Sequence, residues 1–98
     1  WHMEYTIEHK KLGVKATIKS LKQRDLAAFG AAAAKYSYAS MSQARGANVK
    51  AAIEAKWFLV LEPELLIDDV DNCEPSLIRF IGDWIGLVYK EVTTIPPN

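Results

Sequence analysis

Residues 4–8 alternate polar and apolar side chains, with Tyr5 and Ile7 on one face. Val14, Ala16 and Ile18 alternate in the same way against Lys15, Thr17 and Lys19. A period of two is that of a strand with one face buried. Joined through His9-Lys10-Lys11-Leu12-Gly13, the two runs predict a β-hairpin over 4–20, with Gly13 free to take a positive φ in the turn. A lone hairpin is marginal in water, so its apolar face has to lie on helices.

From residue 22 the period lengthens. Leu26, Phe29, Ala33 and Tyr36 fall at three- and four-residue spacing and predict a helix over 22–36, with Ser20 as the candidate N-cap. Gly30 and the run Ala31 to Ala34 remove bulk and suggest close packing at that turn. Polar residues 37–42 follow, of which Ser40 or Ser42 could cap a second helix over 43–58, its stripe formed by Val49, Ala52, Ile53, Lys56 and Trp57. Pro63 permits a short helical turn over 63–69. Asp71 or Asn72 then caps a last helix over 73–92, with Pro75 in its first turn and Pro96-Pro97 beyond its end. The predicted fold is α+β: an N-terminal hairpin packed on three main helices plus a short helical turn.

The last helix is apolar around most of its circumference. Leu77, Ile81, Trp84, Ile85 and Val88 form a core face, and Ile78, Phe80, Leu87 and Tyr89 spill onto its flanks. Only Arg79, Asp83, Gly86 and Lys90 remain as a polar strip. Such a helix needs two neighbours to cover it, or a partner chain. Phe80, Trp84, Leu87 and Tyr89 are therefore the candidate partner-binding residues, since aromatic and large apolar anchors dominate interface energetics. For Trp84 a place in the intramolecular core is an equal expectation. Gly82 and Gly86 form a GxxxG step, which predicts a tight helix–helix contact.

Composition narrows the class. At 98 residues, half of them hydrophobic, the chain is expected to form one globular domain with a thin core, and small cores gain stability by oligomerising. Trp1-His2-Met3 reads as a cloning remnant and the native start, with the domain spanning 4–98. No apolar run approaches the ~18–20 residues of a membrane span, and Cys73, the one cysteine, builds no disulfide framework. A cytoplasmic protein is the expectation. The net charge is zero, but residues 1–56 carry ten Lys and Arg against four Asp and Glu, and residues 57–98 carry two against eight. Either the two halves pack together and cancel, or the surface has two poles that steer partners, or further copies of the chain itself, head to tail.

Little in the chain points to catalysis. His9 lies beside two lysines in a turn and reads as a solvated residue; Cys73 reads as a small buried one. One cysteine cannot begin a CxxC pair, and no phosphate loop occurs. The acidic run from Asp68 to Glu74 fails as a calcium loop, because a start at Asp69 puts Cys73 at position five and Glu74 where glycine belongs. Helix capping is the better account of those acids. Gln43, Arg45, Asn48 and Lys50 would line the polar side of the second helix, and such side chains can read base edges, but an ordinary solvated helix face looks the same.

Several segments carry a resemblance: Ile18-Lys19-Ser20-Leu21 with Gln23-Arg24-Asp25-Leu26, Trp57-Phe58, Asp69-Val70-Asp71, Pro75 with Ile78-Arg79-Phe80-Ile81, Ile85 and Tyr89, and Thr93-Thr94-Ile95-Pro96-Pro97. Together they resemble a group of small proteins encoded in phage and prophage tail gene clusters. The resemblance implies a tail assembly chaperone or tail accessory protein that contacts tape-measure or tube proteins in the bacterial host cell. It implies no enzymatic activity, no cofactor and no metal. The alanine-rich first helix departs from that pattern. The alternative is a small phage-encoded regulator that binds DNA or inhibits a host protein.

Overall fold

The two period-two runs pair as expected. In this computed structural model, which describes residues 4–36 and 41–94, β1 (Tyr5–His9) and β2 (Val14–Ile18) are antiparallel, with Tyr5 opposite Ile18 and His9 opposite Val14. Gly13 takes φ 69° and donates its N–H to the Lys10 carbonyl, which closes the turn. Val14, Ala16 and Ile18 are buried, while the Thr6 and Thr17 hydroxyls meet on the outer face at 3.2 Å.

A third strand, β3 (Phe58–Glu62), lies on the other side of β2, and the sheet order is β1-β2-β3. Glu62 faces Lys15, Leu61 faces Ala16 and Val60 faces Thr17. Phe58 then faces Ile18, so Leu59 is the extra residue of a bulge. This corrects the expectation of a helix running to residue 58. The helix, α2 (Met41–Glu54), stops four residues earlier. Lys56 there adopts φ 59°, its N–H bonds the Ile53 carbonyl, and the Trp57 N–H reaches back to the Ala52 carbonyl at 3.0 Å. That pair of bonds is a Schellman closure, which reverses the chain into an extended course.

The first helix, α1 (Gln23–Ala33), is not capped by Ser20. Lys22 is the N-cap, and its N–H donates to the Asp25 carboxylate at 2.9 Å. Asp25 is buried and also pairs with Lys19 at 3.1 Å. Gly30 is exposed with open space around it, so the close packing expected there is absent. The predicted caps at Ser40 and Ser42 lie outside the described residues and side chains.

α2 is the central helix. It packs on α1, on α3 (Pro75–Thr93) and on a 3₁₀ helix (Ile67–Asn72), and Ala47, Val49, Ala51 and Ala52 are buried around it. The 3₁₀ helix starts later than the expected turn at 63–69, because the Asp69 carboxylate accepts the Leu66 N–H at 2.9 Å and fixes its first turn there. Asp71 and Asn72 belong to that helix and do not cap α3. Glu74 is the N-cap, without a side-chain bond, and Pro75 follows it as expected. Ile81, Ile85 and Val88 of α3 meet the sheet's inner residues in one core, together with Phe29 and Trp57. No described helix is long and apolar enough to cross a membrane.

The basic and acidic halves meet around α2, where Arg45 pairs with Asp83 of α3 at 2.6 Å and Lys50 with Asp71 of the 3₁₀ helix at 2.9 Å. Arg79 does not take the Asp83 partner that lies one turn away.

The buried carboxylate of Asp25 gives the fold an acid sensitivity. The Lys22 N–H holds its pKa below the ordinary carboxylate value; Lys19 and Arg24 add to this, and burial opposes it. A depressed folded pKa contributes stability that is complete above the unfolded value of about 3.9 and is lost as pH falls through the lower folded value. Asp25→Asn is therefore expected to lower the melting temperature at pH 7 and to flatten its decline below pH 4. An identical acid decline in both proteins would assign the sensitivity elsewhere.

Candidate protein-binding surface

The four side chains expected to form a partner-binding group on α3 do not lie together. Trp84 is buried, at 9% exposure, and belongs to the core. Phe80 is half-buried, with its ring edge-to-face on His9 at 5.0 Å. Leu87 is 66% exposed and Tyr89 38%. At about 100° per residue, the seven-residue step from Phe80 to Leu87 returns to the same flank of the helix. Tyr89, two residues on from Leu87, points to the opposite flank, where its ring tilts onto Phe29 at 5.5 Å. Phe80 rests there on His9, the last residue of β1, whereas Leu87, two turns on, borders a groove shared with Ala44, Arg45, Asn48 and Gly86 on the α2 side.

His9, expected to be solvated, is half-buried: its Nδ1 accepts the Leu12 N–H at 3.2 Å and its ring receives Phe80. It serves as a packing residue that ties the hairpin turn to α3.

A second apolar surface lies across the sheet, at β3. Leu59 is 56% exposed, Val60 37% and, just beyond the strand, Leu66 65%. Beside them a groove of about 590 Å³ runs between β3 and the end of α2, lined by Ile53, Phe58, Leu61 and Leu65 together with Lys56, Glu62 and Glu64. On its side away from β2, β3 makes no hydrogen bond among the described residues. Sequence reasoning missed this surface because it assigned Phe58 to a helix. The run Phe58-Leu59-Val60-Leu61 was the available signal, four apolar residues being short for a helix and ordinary for a strand.

The polar residues around α2 and the 3₁₀ helix that were candidates for chemistry are engaged in structural bonds. A cavity of about 390 Å³ near the 3₁₀ helix is lined by Tyr36, Lys50, Asp71 and Cys73 among others. Lys50 is committed to Asp71 there, and burial, with the Asp69 carboxylate, pushes the Cys73 thiol up, away from the thiolate a nucleophile needs. The thiol donates instead to the Asp69 carbonyl at 3.2 Å. Tyr36 donates to Glu54, which also pairs with Lys35. No group of three or more His, Cys, Asp or Glu that could hold a metal occurs among the described residues. Of the α2 residues considered for base reading, Arg45 and Lys50 are each held by a carboxylate, and Asn48 is half-buried against the Gly86 turn.

No family model, curated protein or solved structure matches this chain.

Proposed function

We propose that this chain is a non-enzymatic protein-binding protein that works in phage tail assembly in the bacterial cytoplasm, as a chaperone or accessory protein contacting tape-measure or tube proteins. The observation that supports this reading is the presence of two separate apolar surfaces on one small fold. One is the exposed Leu87 of α3 at the rim of the α2–α3 groove, and the other is the β3 edge with Leu59, Val60 and Leu66. A protein that covers a long filament-forming partner needs one surface for that partner and another for its neighbours. The resemblance in the sequence supplies the partner class, and the α3 flank is the contact assigned to it, because an apolar helix ridge suits packing against a helical tape-measure segment.

The reading is tested by mixing the purified chain with phage tape-measure and tail-tube proteins. Co-elution with one of them is expected, and Leu87→Lys should weaken that complex about tenfold while leaving the melting temperature unchanged. Absence of a complex with both would remove the tail-assembly role. Salt-dependent binding to duplex DNA would instead favour the regulator.

A further inference from the structure

Arg79, Asp83, Leu87 and Lys90 follow one another, a turn apart, along the exposed face of α3. At about 100° per residue, Asp83 and Lys90 share the centre line of this face, and Gly86 and Leu87 stand on either side of it. Leu87 is an exposed ridge. Gly86 is a gap, open to a groove of about 460 Å³ lined by Ala44, Asn48 and Gly82 and by the Arg45–Asp83 ion pair. The two glycines of the GxxxG step thus differ. Gly82 is taken up by the close approach of Arg45, whereas a Cβ on Gly86 would meet nothing nearer than the Asn48 side chain at 4.0 Å.

A second copy of α3 fits this face in one orientation. Laid antiparallel, with the two-fold axis between Gly86 and Leu87, it sets Leu87 of each copy against Gly86 of the other, ridge into gap. The same operation sets Asp83 of each copy opposite Lys90 of the other. Half of the Asp83 side chain stays exposed beyond its bond to Arg45. Lys90 is exposed and has no ion-pair partner among the described residues. Both matches follow from a single register within one unbroken helix. A parallel copy would set Asp83 on Asp83, Lys90 on Lys90 and Leu87 on Leu87, and would leave the groove open.

We propose that, free of its tail partner, this chain forms a two-fold dimer in which the two α3 helices pack antiparallel across Gly86 and Leu87. The inference rests on the reading of Leu87 as the partner contact and adds its regulation: a second copy covers the same surface, so a tail protein has to displace it. The contact is about three turns long, so the dimer is expected to dissociate on dilution.

Light scattering coupled to gel filtration, over a hundredfold range of protein concentration, reads the dimer with the chain alone. Gly86→Leu fills the groove at a place with open space, so the fold should survive and the dissociation constant should rise about tenfold. Lys90→Glu sets like charges against Asp83 at both ends of the contact and should weaken the dimer by about the same factor. An equimolar mixture of Lys90→Glu with Asp83→Lys brings opposite charges together at both ends, so the two should dimerise more tightly with each other than either does alone. Thermal melts check that each variant folds. A monomer throughout the range overturns the proposal, as does a dimer that Gly86→Leu or Lys90→Glu leaves unchanged. A tail protein that binds the dimer without dissociating it overturns the masking. A monomer that still binds a tail protein would sink the dimer and leave the tail-assembly role; an α3 dimer that binds neither tail protein would do the reverse.

Discussion

Trp57→Ala is expected to cost about 3–5 kcal/mol of folding stability, the range for deleting a large aromatic from a packed core. Three features place it in that range. The side chain is wholly buried, its ring stacks on Phe29 with centroids 4.4 Å apart, and its Nε1 donates to the Asp25 carbonyl at 3.0 Å. Removing it opens a cavity where α1, α2 and β3 converge and leaves the Asp25 carbonyl without that donor. Domains of this size are stable by roughly 5–15 kcal/mol in all, so the variant should be partly unfolded at physiological temperature. Urea denaturation followed by far-ultraviolet circular dichroism measures the loss. Trp57→Phe keeps a ring against Phe29 but gives up the hydrogen bond and the bulk of the second ring, so it should cost less than the alanine variant and still more than a lost hydrogen bond alone. A loss under about 1.5 kcal/mol for the alanine variant would mean the site collapses around the vacancy, and the role given to Trp57 as the centre of the core would be wrong.

Trp57 also marks where pattern reading failed. The hairpin was readable because β1 and β2 each have one buried face, so period two survives in the sequence. α3 was readable because its polar strip is narrow but unbroken. α2 gave a poor boundary for the opposite reason: it is covered on several sides, its apolar residues point everywhere, and Trp57-Phe58 looked like their continuation. The stop lies in backbone geometry. Lys56 occupies the left-handed position that glycine usually marks, so the closure at Ala52 and Ile53 carries no signature in residue type. The missing third strand followed from that one turn, whereas the late start of the 3₁₀ helix has its own cause in the Asp69 carboxylate that accepts the Leu66 N–H.

The candidate surface was readable in kind and not in place. A surplus of apolar residues on α3 was visible, but which of Phe80, Trp84, Leu87 and Tyr89 stay exposed depends on what packs beside each. The hairpin turn brings His9 to Phe80 and α1 brings Phe29 to Tyr89, while Leu87 stays exposed at the rim of the groove between α2 and α3. The β3 edge required knowing that residues 58–62 form a strand at all. The segregation of charge resolved in part into ordinary packing around α2, where Arg45 finds Asp83 of α3 and Lys50 finds Asp71 of the 3₁₀ helix.

The GxxxG step on α3 contains two glycines with opposite requirements, and substituting each should separate them. A Cβ built on Gly82 would stand 2.7 Å from the Arg45 Cβ, 2.8 Å from the Arg45 carbonyl oxygen and 2.9 Å from its Cα. Two of those atoms are backbone of the central helix and cannot turn aside, so α2 and α3 would have to separate. Alanine gains roughly 0.5–1 kcal/mol of helix propensity over glycine, but overpacking of this kind costs typically 1–3 kcal/mol and at times more. The clash wins, and Gly82→Ala is expected to be destabilising by about 1–3 kcal/mol, with Gly82→Val worse. At Gly86 the nearest atom is the Asn48 side-chain nitrogen at 4.0 Å, an ordinary contact. Propensity then decides, and Gly86→Ala should be neutral or stabilising by up to about 1 kcal/mol. Thermal and urea melts of the two alanine variants measure the contrast directly. Equal effects at both positions would mean that α2 and α3 are not held together at Arg45 and Gly82, and the central place given to α2 would fall with that contact.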